Sequence, residues 1–374
     1  GSEMCIRDRG VDMSFLNNRL AFSADFYIRD TKDMLTSGVA LPSVYGADSP
    51  KMNSADLRTK GYELSLSWRD EFQLLRRPFT YSVTVTFNDY VTDITKYDNP
   101  DRTFAKSYYE GMRWGEIWGY RIGGLFATDA EAAGYDVDQT AVNNRINAAA
   151  GSERGLHAGD LKFLDLDGDN VISIGKNTVD DPGDRKIIGN SEPRYIYTIS
   201  LNADWNGFFL SALFDGVGRQ QWFPSDESLF WGMYNRPYNQ VPTWHLQNYW
   251  TEDRPNAYLP RYVGYYGPMN AGTANINTRY LQDVSYIRLK NLQFGYELPK
   301  RWISKIGLSK VSVYFSGENL WSWSPLYRYT KDFDVTVANK KSDTDLQSSS
   351  SDNKGDGHNY PVMRSFSFGI SITY

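Results

Sequence analysis

The sequence predicts an all-β protein, an antiparallel transmembrane β-barrel with long extracellular loops, and three observations carry that prediction. Apolar and polar residues alternate over long runs, short turns alternate with long connections, and aromatics make up 15% of the 374 residues. That aromatic wealth sits in a chain whose mean hydropathy is only −0.54. No apolar run approaches the ~18 residues of a membrane-crossing helix; the longest, Phe208 to Phe214, is broken by Ser211. A net charge of −5 with no basic block argues against nucleic-acid binding. One cysteine excludes a disulfide scaffold or thiolate cluster, and three histidines leave little for metal or triad chemistry. No G-x-S-x-G elbow, H-E-x-x-H pair or phosphate-cradling glycine loop occurs, so no enzyme is expected.

Residues 1–10, GSEMCIRDRG, are charged, lack an apolar core and resemble translated adaptor sequence, so they are expected to be a non-native leader. Strands start after them. Val11, Met13 and Phe15 alternate, Asn17-Asn18 suits a tight turn, and Leu20, Phe22, Ala24, Phe26 and Ile28 resume the pattern. Tyr62 to Trp68 and Phe79 to Phe87 repeat it, the second with threonine or serine at every intervening position and Asn88 following. A 3.6-residue period would scatter these apolar residues around a helix, whereas a period of two puts them on one face. Tyr195 to Trp205 leads through Asn206-Gly207, a strong hairpin signal, into Phe208 to Phe214. Ile287 and Leu289 are apolar at odd positions but Leu292, Phe294, Tyr296 and Leu298 at even ones, which predicts a β-bulge at Lys290-Asn291. Pro299 to Ile306 predicts a short helical turn, Val311 to Phe315 another strand, and Phe366 to Tyr374 the last.

About ten strands result, several much longer than the ordinary ~5–6 residues and matching the ~9–11 tilted residues that cross a bilayer. The connections 30–53, 90–111, 127–190, 216–280 and 320–361 are long. Trp68, Tyr90, Trp205 and Trp321 lie near strand ends, where interfacial girdles form. The alternative is a soluble β-sandwich binding glycans through its aromatics; strand length and loop asymmetry favour the barrel.

The order and spacing of several motifs add a resemblance. Asp160-Leu161-Lys162-Phe163 precedes Asp165-Leu166-Asp167-Gly168-Asp169, and Gly183 to Asn190 (GDRKIIGN) precedes Pro193-Arg194-Tyr195. Ser285 to Leu292 (SYIRLKNL), Gly295-Tyr296, Leu298-Pro299, Gly317 to Trp321 (GENLW) and Tyr360-Pro361 through Arg364-Ser365-Phe366 to Tyr374 follow. Together they resemble the C-terminal part of a SusC/RagA-type TonB-linked outer-membrane transporter, over nearly the whole of residues 11–374. The resemblance implies a barrel of about 22 strands around a plug, of which this sequence has neither the plug nor enough strands for closure. It implies localisation in a Gram-negative outer membrane, energy from TonB through parts outside this sequence, and a SusD-type surface lipoprotein lid as partner. The ligand class it implies is an oligosaccharide first and a peptide second.

Three constellations stand out. Asp165, Asp167 and Asp169 occupy the first, third and fifth positions of an EF-hand-like loop, with Val171 placed to offer a carbonyl to Ca²⁺ and Ile172 at the buried apolar position. Asn170 replaces the turn glycine and Lys176 the twelfth-position acid. The family pattern points to Asp184 as the closing carboxylate, with Asp180 and Asp181 as rivals and a solvated acidic turn as the bland alternative. In the 216–280 connection, Trp222, Trp231, Tyr234, Arg236 and Trp244 are candidate ligand contacts, flat rings with polar neighbours such as Asp226 and Asn239. Packing of the loop on itself or on a lid is the competing reading. Trp114, Trp118 and Tyr120 read as barrel or rim residues. Finally, Phe366, Phe368, Ile370, Ile372 and Tyr374 resemble the terminal strand by which such barrels are captured for assembly.

Overall fold

A computed structural model describes residues 2–37, 46, 50–143, 155–224, 228–231, 241–262, 272–273, 275–338 and 362–374. Nine strands form one antiparallel sheet whose spatial order follows the chain. They are β1 (Glu3–Phe15), β2 (Leu20–Ser37), β3 (Lys51–Leu74), β4 (Arg77–Lys96) and β5 (Arg194–Trp205). Then come β6 (Phe208–Arg219), β7 (Tyr286–Glu297), β8 (Lys310–Trp323) and β9 (Ser365–Thr373). The sheet is nine-stranded, against about ten expected, and β1 and β9 do not pair with each other among the described residues. Glu3 to Gly10 continue β1 in register with β2, Glu3 opposite Lys32 and Gly10 opposite Asp25.

The alternation seen in the sequence becomes one continuous apolar face. A single cross-strand row runs Met13, Phe22, Leu66, Val85, Ile199, Phe214, Leu289, Trp321 through successive pairings. No second sheet covers it among the described residues, and Phe26, Phe294 and Phe368 are 57%, 49% and 84% exposed. That removes the sandwich reading, in which this face would be a shared dry core. The opposite face is polar and cross-linked by hydroxyls: Thr59–Thr92 at 2.9 Å, Ser67–Thr84 at 3.0 Å and Thr86–Thr198 at 2.5 Å. On that face Tyr27 lies across Gly61 and Tyr314 across Gly369, each its direct cross-strand partner. The glycine leaves room for the ring, and the ring covers backbone that would otherwise be bare.

β1–β2, β3–β4, β5–β6 and β7–β8 join at one end of the sheet, and the long connections leave from the other. At the short end Leu16, Asn17 and Asn18 have φ of 54°, 56° and 65°, and Asn206-Gly207 has 48° and 90°. Pro299 caps a helical turn over Lys300–Ile303, continued to Ile306 and stopped by Gly307 at φ 73°. The predicted bulge is present: Leu213 pairs with Asn291 but Phe214 with Leu289, which leaves Lys290 as the extra residue.

Strands at the long end run further than their apolar stretches. β2 reaches Ser37 and β4 reaches Lys96, so the 30–53 and 90–111 connections are partly strand. Three of the long connections start between strands clasped by two-pronged Arg–Asp pairs. Arg58 grips Asp30 at 2.6 and 3.3 Å, Arg194 grips Asp89 at 2.5 and 2.6 Å, and Arg288 grips Asp215 at 3.0 and 2.7 Å. Planar forks of this kind fix geometry as well as charge.

Above the clasps the connections fold into a cap with its own core. Glu116–Tyr120 pairs with Arg185–Asn190, Ile122–Leu125 with Leu161–Phe163, and Gln221–Trp222 with Gln282–Asp283. Tyr120, Phe163, Ile172, Trp222, Trp231 and Tyr280 meet in its interior. Buried Gln139 acts as a surrogate strand edge, donating to the Leu161 carbonyl and accepting from the Phe163 N–H, both at 2.9 Å. Arg261 reaches from the 216–280 connection to fully buried Asp160 with bonds of 2.9 and 3.2 Å, tying two long connections together. Trp118 and Tyr120 therefore belong to the cap and not to the barrel wall; Trp118 Nε1 donates to Glu116 at 2.8 Å.

Candidate functional site

The acidic loop folds as its spacing requires. Asp165 turns the chain around itself: Oδ1 accepts from the Asp167 and Gly168 N–H groups at 3.2 and 2.7 Å, and Oδ2 from Asn170 at 2.9 Å. Asn170 takes the left-handed conformation at φ 60°, the position where an EF-hand loop has glycine. Val171 then bridges Asp138, and Ile172 is fully buried in the cap core, as its position in the motif predicts. Asp184, fully buried, comes back under the loop, accepting from Leu166 N–H at 2.7 Å and Ser173 N–H at 2.8 Å.

One carboxylate oxygen each of Asp165, Asp167 and Asp184 lies within 4.8 Å of the other two. Asp184 is thus the partner the structure brings in, ahead of Asp180, which pairs with Arg102 at 3.0 Å, and Asp181, which faces Lys176 at 3.7 Å. Asp169 accepts from the Val171 N–H at 2.8 Å and is not among the three clustered groups. The electrostatics fit a cation. The Asp169 N–H pulls the Asp167 carboxyl downward, but loss of solvation and the charges of Asp169, Asp184 and Asp165 outweigh it and raise its pKa. Three hard oxygen donors whose charges repel one another suit Ca²⁺.

The aromatic candidates end up elsewhere. Trp222 and Trp231 are 1% and 2% exposed, packed on Phe333, Phe230 and Tyr280. Trp244 packs on Phe230, His245 and Tyr329. Direct ligand contact through Trp222 and Trp231 is therefore corrected to core packing: the cap has to bury a continuous apolar interior, and its largest rings fill it. Tyr234 and Arg236 lie outside the described residues, as do Asp226 and Asn239. Phe366, Phe368, Ile370 and Ile372 on β9, and Tyr374 just after it, are all more than half exposed.

Two cavities between the cap and the sheet were not foreseen. One, of about 530 Å³, is lined by Asp93, Arg113, Glu116, Glu192, Arg194 and Arg219 among others. Arg113 binds Asp93 at 3.0 Å; Glu116 is held above the usual carboxylate range by burial, with hydrogen bonds from Trp118 and Arg113 opposing. Arg219 is exposed and makes no ion pair with a described residue. The other, of about 560 Å³, lies beside it, with Ile196, Val217 and Tyr286 from the sheet and Phe223, Gln220 and Glu192 from the connections. The lining residues are scattered from 93 to 336, so no local motif marks them.

The sequence model of the family described as "TonB dependent receptor-like, beta-barrel" matches residues 8–152. TonB-dependent receptor P3 of Formosa agariphila is 28% identical over 98% of this chain and 34% of its own length. TonB-dependent receptor P39 of the same organism is 24% identical over 86% of this chain and 32% of its own length. The chain thus spans about a third of the curated relatives it matches. Among solved structures, the RagAB peptide transporter superposes with a TM-score of 0.68 at 20% identity, covering all of this chain and 35% of that one. The open-open state of the RagAB peptide importer gives 0.67 at 19% identity over 99% of this chain and 34% of that one. The open apolar sheet, the match over residues 8–152 and the curated relatives together make the chain similar to TonB-dependent receptor β-barrels over nearly its whole length.

Proposed function

We propose that this chain forms part of the barrel wall and extracellular cap of a SusC/RagA-type importer in the outer membrane of a Gram-negative bacterium. The observation that carries the reading is the uninterrupted apolar face across nine strands, joined to long connections folded as a cap. Its partners on this reading are a SusD-type lipoprotein lid over the cap, and TonB acting through segments outside this sequence. Phe366 to Tyr374 would serve as the assembly signal. Ca²⁺ held by Asp165, Asp167 and Asp184, with Asp169 and the Val171 carbonyl close by, would stiffen the cap; it has no catalytic part.

For the ligand, an oligosaccharide and a peptide both fit an importer of this kind. Burial of Trp222 and Trp231 takes two of the candidate stacking rings away from a glycan. The mixed charges of Arg113, Arg219, Glu116 and Glu192 around the cap cavities favour a peptide, whose termini and side chains carry both signs. Likeness of fold to the RagAB peptide transporter agrees with that choice. The test is binding to the full-length parent protein in detergent, comparing a pool of short peptides with neutral oligosaccharides. Peptide retention weakened about tenfold by Arg219→Glu is expected. Retention of oligosaccharides alone would overturn the peptide assignment, and recovery of the parent in a salt-washed soluble fraction would overturn the importer.

A further inference from the structure

The rim made by the four short connections differs in chemistry from the rest of the chain. Arg76, Arg77, Lys300, Arg301 and Lys305 are exposed there, and none of them makes an ion pair with a described residue. Nearby charges of the same rim are already matched: Lys310 binds Glu297 at 2.9 Å and Arg19 lies 3.3 Å from Asp70. Glu71 and Asp204 are acidic residues of this rim that make no ion pair with a described residue, in a protein whose net charge is −5. Between the cations, apolar side chains project outward, Leu75 at 77%, Trp302 at 55% and Ile306 at 70% exposure. The helical turn holding two of them is itself docked, because Ile303 is buried beneath it and the Ile303 carbonyl accepts from Leu308 N–H at 3.2 Å.

Position along the strands gives the rim its meaning. The aromatic residues Phe72, Phe79, Trp205, Phe208 and Tyr296 end the apolar face on this side. The cations follow within a few residues, roughly 5–15 Å beyond at ~3.3 Å per residue. That depth is the headgroup layer if the apolar face spans the hydrocarbon. Clustered Lys and Arg with interleaved Trp, Leu and Ile is the chemistry of binding to an anionic interface, charge on phosphate and apolar tips in the acyl boundary.

We infer that the short-connection rim is a binding surface for anionic phospholipid, seating the barrel in the leaflet on that side. The inference rests on the barrel reading above, and its test separates the two. The full-length parent is reconstituted with spin-labelled phosphatidylglycerol or spin-labelled phosphatidylcholine at equal mole fraction, and the motionally restricted lipid is compared. An association preference of about threefold for the anionic lipid is expected, falling toward onefold in Arg76→Gln/Arg77→Gln/Lys300→Gln/Arg301→Gln/Lys305→Gln and in about 1 M salt, where screening acts over ~3 Å. Heat-modifiable gel mobility shows that the variant is folded. Equal association of both lipids with the wild type, or a preference unchanged in the variant, overturns the inference. Absence of any restricted lipid for either label would instead overturn the barrel.

Discussion

His245 sits in the cap with both ring nitrogens engaged. The Tyr262 hydroxyl is 2.5 Å from Nδ1, and Nε2 donates to the Phe230 carbonyl at 2.8 Å. Burial lowers its pKa from 6.5 to about 4, with the bond to Phe230 resisting. The unfolded imidazole takes a proton below its ordinary pKa, while the folded one refuses it until about pH 4. Folded stability is therefore full above about pH 6.5 and falls as pH drops across that window, by up to about 3 kcal/mol. Thermal melting of the parent from neutral pH down to about 4.5 should show this slope, and His245→Gln should flatten it. An unchanged slope in the variant would exclude His245 as its source. Asp167 behaves in the opposite sense, since its neighbours already oppose its ionisation. Ca²⁺ titration should raise the melting midpoint of the cap, and Asp167→Ala should abolish that rise. Asp167 also accepts the Asp169 N–H at 3.2 Å, so the calcium response is the diagnostic readout and the midpoint in chelator alone is not. No response in the wild type would reduce the loop to an acidic turn.

Turns and bulges show which elements were legible beforehand. Asn17-Asn18 and Asn206-Gly207 announced their hairpins because these residues enter the left-handed region cheaply. The β3–β4 turn did not: Leu75 and Arg76 adopt φ of 50° and 63°, a conformation that costs each roughly 1–2 kcal/mol. Nineteen paired positions along β3 and β4 impose it, a tertiary demand that outweighs local preference. The bulge at Lys290 was readable because a one-residue slip flips apolar parity. The tryptophans stayed open between ligand contact and packing because composition cannot tell a stacking face from a packing face, and burial of Trp222 and Trp231 favours packing. Asp184 came from the family pattern, and only the fold brings it beneath Asp165, nineteen positions away. The glycine–aromatic pairs make a prediction at this scale. A Cβ on Gly61 would lie 2.5 Å from the Tyr27 ring. Gly61→Ala should therefore cost about 1–3 kcal/mol in urea unfolding from detergent. Tyr27→Ala should relieve most of that cost, so the double variant will be more stable than the sum of the single effects allows. Simple additivity would mean that the ring and glycine do not interlock.

At the scale of the molecule, two faces of one sheet do opposite jobs. On the proposed reading, the chain pairs 15% aromatics with a polar average because one face of each strand turns to lipid and the other to water. The apolar stretches Leu20 to Ile28, Phe79 to Phe87 and Tyr197 to Trp205 each cover nine residues, the length a tilted strand needs. Val85 and Thr86 are neighbours near the middle of that band: Val85 lies between Leu66 and Ile199, and Thr86 bonds Thr198 on the polar face. Lysine at position 85 should destabilise the barrel by about 2–4 kcal/mol, and lysine at 86 by clearly less, because only the first must place its charge in hydrocarbon. A loss of stability alone would also follow from a buried protein core, so contact with lipid has to be read directly. In a Cys5→Ser background, a fluorophore on Val85→Cys should be quenched by brominated acyl chains and one on Thr86→Cys spared. A water-soluble maleimide should show the reverse preference. Quenching at both positions, or at neither, would mean that the apolar face does not meet the bilayer, and the reading of this sheet as a barrel wall would fall with it.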